Sequence, residues 1–136
     1  MPQETKTATL TWRGGMRFES DAPGGTPILL DGKAAAGVSP VTALLLAAAA
    51  CSGADVVMIL EKMRIELTEF SIEASGVRRE QEPRRFITMH LIFRLRGAGV
   101  DEARVRRAVE LSLEKYCSVV ASLAADLPVT YDIDVG

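Results

Sequence analysis

The sequence predicts an α+β fold, on three observations. A long uncharged stretch over residues 37–54 reads as a central apolar helix. Segments with period-two alternation come in adjacent groups rather than between helices, which argues antiparallel pairing and against a βαβ repeat. The 136 residues, 48% hydrophobic and 25% charged, suffice for one well-covered core without disulfide staples, so residues 1–136 are expected to form a single domain.

Each element follows from local pattern. Over residues 7–13, Ala8, Leu10 and Trp12 alternate with threonines and Arg13, a half-buried strand. Gly14-Gly15 is a two-residue hairpin signal, and residues 16–20 return. Residues 20–26 carry Asp, Pro and two Gly and form a loop. A short strand over 27–30 ends at the turn Asp31-Gly32. Ser39-Pro40 starts the central helix, with Ser as N-cap and Pro at the first helical position. The helix runs to about Arg64, with Lys62 and Arg64 at the negative end of its dipole. Its first half is apolar all round, which implies burial on every side, and Gly53 implies close packing or a bend.

Two long strands follow, one carrying Phe70, Ile72 and Ala74, the other Ile87, Met89, Leu91, Phe93 and Leu95 on its inner face. Glu80-Gln81-Glu82-Pro83 joins them, with Arg78, Arg79, Arg84 and Arg85 around a solvated charged turn near Glu80 and Glu82. Asp101 caps a second helix with Val105, Ala108, Val109, Ser112 and Tyr116 inward. The stripe loses phase near Cys117, which marks a break and a third helix. Pro128 ends that helix, and Val129, Tyr131, Ile133 and Val135 alternate as a final strand.

Composition excludes several functions. A formal charge of −2 gives no general attraction to nucleic acid or anionic membrane. Two cysteines, Cys51 and Cys117, cannot form a secreted-type disulfide framework, and one histidine leaves Cys/His zinc sites without ligands. The first residues lack a basic-then-apolar signal pattern, so the expected setting is the reducing cytoplasm. The unbroken apolar run, 43–51, is nine residues, against the ~20 needed to cross a bilayer, which reads as a core helix.

The chemistry centres on the cysteines. Free cysteine is usually a buried core residue, and Cys51 lies in an alanine-rich helix whose interior disfavours thiolate. Cys117 follows Lys115 at the start of a third helix, and both features favour thiolate. His90 shares a face with Thr88, Ile92 and Arg94, a solvent-side or interface position rather than a catalytic one. Met58 and Met63 read as core filler, and the Gly-Gly pairs lack phosphate-loop spacing.

A resemblance adds to this reading. Residues 39–52, Ser39-Pro40 through Cys51-Ser52, resemble the central-helix cysteine motif of the OsmC/Ohr family. Glu114-Lys115-Tyr116-Cys117-Ser118-Val119 resembles its second-cysteine motif; residues 10–12, 28–33 and 80–86 also fit, closest to the YhfA-like branch. The resemblance implies an intertwined homodimer in which sheets wrap the central helices, with sites at the subunit interface. It implies Cys51 as the peroxidatic cysteine, attacking a hydroperoxide and becoming a sulfenic acid, and Cys117 as the resolving one. An external thiol would then reduce the Cys51–Cys117 disulfide, and the resemblance implies no metal or organic cofactor.

One pair of the family's residues is not matched. Classical members carry a glutamate ten residues before the first cysteine to hold an activating arginine just after the Gly-Gly; here Val41 stands there and Met16 follows Gly15. Arg17, then Arg13, are the activators this sequence offers. The leading expectation is a cytoplasmic thiol-dependent reductase of organic hydroperoxides. The alternative, favoured by Val41, is a non-catalytic dimer holding a small apolar ligand at its interface. Joint action of the cysteines requires Cα atoms within roughly 7 Å, or a small shift to reach that distance.

Overall fold

The computed structural model describes residues 3–22 and 24–136. Met1 and Pro2, in the segment read for a signal pattern, and Pro23, in the loop expected over 20–26, lie outside them. The chain forms two compact units, Met1–Leu44 and Leu45–Gly136.

The first unit is a three-stranded antiparallel sheet in the order β1 (Leu10–Trp12), β2 (Arg17–Ser20), β3 (Leu29–Asp31). The hairpin between β1 and β2 closes over three residues rather than two: the Arg13 N–H donates to Arg17 O at 2.9 Å, leaving Gly14, Gly15 and Met16 in the loop. Both glycines have positive φ, +94° and +57°, which side chains rarely adopt. The strand expected to be half-buried is exposed in the single chain. Leu10 and Trp12 are 53% and 64% accessible, and Phe18, opposite Trp12, is exposed too.

Asp31 ends β3 buried, and its carboxylate accepts from the backbone N–H groups of Lys33 and Ala36, both at 2.9 Å. These bonds, with the Arg17 charge adding to them, hold its pKa below the ordinary carboxylate value against a smaller opposing effect of burial. A carboxyl depressed in the folded state adds stability above its unfolded pKa of about 3.9 and loses it as pH falls through the folded value. The Lys33 and Ala36 amides are therefore expected to keep their exchange protection down to about pH 4 and lose it below. Asp31→Asn should remove that acid step. An NMR exchange series that showed the same step in both proteins would contradict this.

α1 (Pro40–Lys62) begins as its sequence indicates: Ser39 Oγ accepts from the Thr42 N–H at 3.1 Å. It ends in a Schellman closure, the Ile65 N–H donating to Leu60 O at 3.0 Å and the Arg64 N–H to Glu61 O at 2.9 Å. Leu60 and Ile65 meet in the core, the hydrophobic contact usual to this motif. The motif puts Arg64 at φ +61°, where glycine is the usual residue. Arg64→Gly should therefore raise unfolding stability by about 1 kcal/mol in a denaturant titration. A loss of stability would show that the Arg64 side chain does more than close the turn.

Only one face of α1 is buried, through Ala48, Ala49, Ser52, Gly53, Val56 and Leu60. The expectation of burial on every side is not met within one chain, because the sheet covers a single face. Leu46 and Met58 are about half accessible, and Ala47, Ala50 and Ala54 are exposed between them. Met58 is therefore surface rather than filler, whereas Met63 packs on the core. At Gly53 the packing is close: a Cβ there would lie 2.8 Å from Ile72 Cδ1. Taken over 23 residues α1 is apolar enough by length and composition to cross a bilayer, more than its nine-residue run indicated. Its inner face nevertheless carries a serine and packs against protein in the core.

The second unit has a sheet in the order β4 (Glu66–Arg78), β5 (Phe86–Ala98), β6 (Val129–Asp134). β4 and β5 form the long antiparallel hairpin; β6 lies parallel to β5, so this sheet is mixed rather than wholly antiparallel. Met89, Leu91, Phe93 and Leu95 are buried in alternation, as their pattern requires. Ile87 is not. A register shift pairs Val77 with Thr88 and Arg78 with Phe86, and this bulge turns Ile87 outward and Phe86 inward. The hairpin arginines bind neither Glu80 nor Glu82 among the described contacts. Arg78 donates to Arg84 O at 2.8 Å, and Arg85 pairs with Asp126 at 2.9 Å.

α2 (Glu102–Leu111) is capped by Asp101, which accepts from the Arg104 N–H at 2.9 Å, and buries Val105, Ala108 and Val109. It then widens into a π-helical turn, Ser112–Tyr116, closed by the Cys117 N–H donating to Ser112 O at 2.7 Å. The four-residue α3 (Ser118–Ala121) follows. The phase break expected near Cys117 is this turn. It also corrects Tyr116. In an α-helix residue 116 would stack under 112, but the wide turn bonds five residues apart, so Cys117 goes inward and Tyr116 is half exposed.

Candidate functional site

Cys51 sits midway along α1 at the border between its buried face and its exposed apolar stripe, and is itself half-buried. Cys117 is 3% accessible. The structure brings the two free thiols into one neighbourhood, close enough for Cys51 to add to the rise in the Cys117 pKa, although they stand 66 positions apart in the chain. Two local features make this meeting. The cap at Ser39 fixes where α1 begins and hence the phase at which Cys51 emerges. The π turn shifts residue 117 into the inward position that a continuing α-helix would give to 116.

Cys117 is also the N-cap of α3, its Sγ accepting from the Val120 N–H at 3.4 Å. From sequence, a cation and a helix start favoured thiolate here. The net direction is the reverse. Burial raises the Cys117 pKa above the ordinary thiol value, and the neighbouring Cys51 adds to the rise, while the Val120 and Val119 N–H groups only partly offset it. Lys115 does not supply the missing cation; its ammonium lies over the Tyr116 ring, 5.3 Å from the centroid. At neutral pH Cys117 is thus held as a thiol.

Behind the thiols lies a polar cluster that sequence reasoning missed. Ser112 Oγ is 3.0 Å from Ser52 Oγ and donates to Asp55 Oδ2 at 2.8 Å, with both serines fully buried. The signal was present: Ser52 and Asp55 interrupt an apolar helix, and Ser112 falls on an otherwise apolar inner face. Polar groups buried on two facing stripes must find one another or remain unsatisfied.

Arg13 and Arg17 face each other at the mouth of the first hairpin, and the structure gives each local partners. Arg13 Nη2 pairs with Glu19 Oε1 at 2.9 Å. Arg17 Nε and Nη2 donate to the Gly14 and Arg13 carbonyl oxygens at 3.4 and 3.3 Å. His90 lies on the outward side of β5, with Nδ1 2.6 Å from Thr130 Oγ1 and Nε2 3.0 Å from Asp132 Oδ2. Both partners are on β6, which accounts for His90 without catalysis. Beside α1 an open apolar groove of about 420 Å³ is walled by Leu46, Ala50, Gly53, Val57, Phe70 and Ile72; neither cysteine lines it. Among the described residues no cluster of three or more His, Cys, Asp or Glu side chains could hold a metal ion.

Comparison with known proteins follows this geometry. The family model described as OsmC-like protein matches residues 31–132. Protein YhfA of Escherichia coli strain K12 is 37% identical over 129 residues, 94% of this chain and 96% of its own. A hypothetical protein from Aquifex aeolicus VF5 superposes with a TM-score of 0.85 at 31% identity, covering 98% of this chain and 99% of that one. The organic hydroperoxide resistance protein OhrB of Bacillus subtilis shares the fold, with a TM-score of 0.65 at 20% identity, covering 95% of this chain and 98% of that one. The chain belongs to the OsmC-like family, in the branch that contains YhfA.

Proposed function

We propose that this protein is a thiol-dependent peroxidase that reduces organic hydroperoxides in the cytoplasm as part of a stress response. One observation carries the reading: two free thiols, far apart in sequence, come together, one half-buried and the other buried with its pKa raised. The name of the OhrB neighbour, an organic hydroperoxide resistance protein, points the same way.

The chemistry needs only sulfur. The Cys51 thiolate attacks the outer peroxide oxygen, the O–O bond breaks, and the departing alkoxide takes a proton and leaves as an alcohol. Cys51 is then a sulfenic acid. The Cys117 sulfur attacks it, giving the Cys51–Cys117 disulfide and releasing water that carries away the thiol proton. An external thiol reductant supplies the two electrons that restore both thiols. Arg17 is the favoured activator of the Cys51 thiolate, then Arg13, whose guanidinium pairs directly with Glu19. The working form is a homodimer, with neither nucleic acid nor membrane as partner.

The test is direct. Cumene hydroperoxide should convert both thiols to one intramolecular disulfide far faster than it oxidises free cysteine, by stopped flow across pH 6–9. Thiols no more reactive than a model thiol would end the peroxidase reading. The apolar groove beside α1 favours a second reading, a dimer that holds a small apolar ligand without turnover. Saturable binding of an apolar fluorophore by an unreactive protein would select it.

A further inference from the structure

Ser52, Ser112 and Asp55 take no part in the steps above, yet Ser52 and Ser112 are the fully buried polar residues nearest in sequence to the two thiols, and the half-buried Asp55 joins them. Ser52 follows Cys51 directly, and Asp55 lies one turn further along α1. Ser112 is the hinge residue on the other side. Its hydroxyl reaches both α1 side chains, and its carbonyl oxygen takes the Cys117 N–H in the bond that closes the π turn. A short connection therefore runs from Cys51 to Ser52, across to Ser112, and through the wide turn to Cys117. A π turn is a rare alternative to continuing the α-helix, and its wider register needs something to hold it. Here the hydroxyl at its first residue is fixed to a neighbouring element.

We propose that the Ser52–Ser112–Asp55 cluster is a positioning device that fixes the register of the π turn on α1 and so holds the Cys117 sulfur against Cys51. The three are positioning residues: they touch neither peroxide nor the reacting sulfurs. The cluster would act in the disulfide-forming step, so its use rests on the proposed thiol chemistry, but the geometry it controls is measurable without any peroxide. Without the Ser112 hydroxyl, Asp55 loses its donor and Ser52 its partner, and the apolar packing of Leu113 is left to hold the wide turn against the core. Relaxation to an α-helical turn would bring residue 116 inward and move Cys117 away.

Equilibration in a glutathione redox buffer tests this with the full chain. Oxidised glutathione takes two electrons from the pair, Cys51 and Cys117 form their disulfide, and two reduced glutathiones carry off the thiol protons. The ratio of disulfide to dithiol, read by mass after alkylation, reports the effective concentration of one thiol at the other. Ser112→Ala should lower it by about tenfold, the worth of one buried hydrogen bond. Asp55→Ala should lower it similarly, whereas Asp55→Asn, which keeps an acceptor oxygen, should restore it. A merely structural cluster would lower the melting temperature in all three variants and leave the ratio unchanged, and that result would overturn the proposal. If Ser112→Ala fails to fold, the Asp55→Ala and Asp55→Asn pair decides alone. A wild-type protein that forms the disulfide readily in glutathione but ignores hydroperoxide would defeat the peroxidase reading and leave the positioning role intact.

Discussion

Cys51→Ser should abolish hydroperoxide consumption, while Cys117→Ser should leave the first step intact and stop the protein after it. The asymmetry follows from the two environments. The peroxide must reach the sulfur that attacks it, and that sulfur must be available as thiolate. Cys51 is partly accessible at the edge of the α1 stripe, whereas Cys117 is 3% accessible with its pKa raised by burial. Removing a reaction's nucleophile costs on the order of 10³-fold or more, because the remaining groups have no bond to make. In Cys117→Ser the Cys51 sulfenic acid has no partner thiol and should accumulate, one dimedone adduct per chain by mass spectrometry. Turnover with a dithiol would then require direct attack by the external thiol. The opposite pattern, with Cys51→Ser still active and Cys117→Ser inert, would reverse the two roles.

The pH dependence should follow the same logic. A raised pKa keeps Cys117 protonated through neutrality, so it does not compete for peroxide, and a protonated neighbour can donate a hydrogen bond to the Cys51 thiolate. Once Cys51 has become a sulfenic acid, the resolving step needs the Cys117 thiolate. Resolution should therefore still gain in rate as pH rises above the ordinary thiol range, read by the decay of the sulfenic acid in stopped flow.

Where local pattern decides structure, the sequence could be read. Ser39-Pro40 placed the start of α1, alternation placed the inner faces of β5 and β6, and loss of phase placed the break at Cys117. What it could not show arises from one-residue offsets. The bulge opposite Val77 exchanges Phe86 for Ile87, and the π turn exchanges Cys117 for Tyr116; a single inserted residue carries no composition signal. The parallel pairing of β6 depends on the path of the chain through α2, the π turn and α3, which period-two alternation does not encode. The cysteine pair was legible through family resemblance, not spacing. The polar cluster left a trace in Ser52, Asp55 and Ser112 on apolar faces, but which residues pair depends on how α1 and the π turn face each other.

The expected partner of the α1 stripe is a second copy of the chain, and one charge placed in it should separate the two. Leu46, Ala47, Ala50, Ala54 and Met58 form an exposed apolar band along one side of a helix whose other side is already in the core. A contiguous apolar band is uncommon on a soluble monomer and marks a contact surface. Small residues between two larger ones let a symmetry-related helix approach closely, and each large side chain newly buried contributes about 1.5–3 kcal/mol. The wild-type protein should therefore be a dimer by light scattering at micromolar concentration. Ala50→Glu puts a carboxylate at the centre of the band, and twofold symmetry places two of them against each other. An unpaired buried charge costs about 3–5 kcal/mol, so the dissociation constant should rise by about 10³-fold or more. Ala103→Glu, on the exposed side of α2, should leave the dimer unchanged and controls for charge alone. If the wild-type chain is a folded monomer at these concentrations, the band has another partner, and a site shared between two copies has no basis.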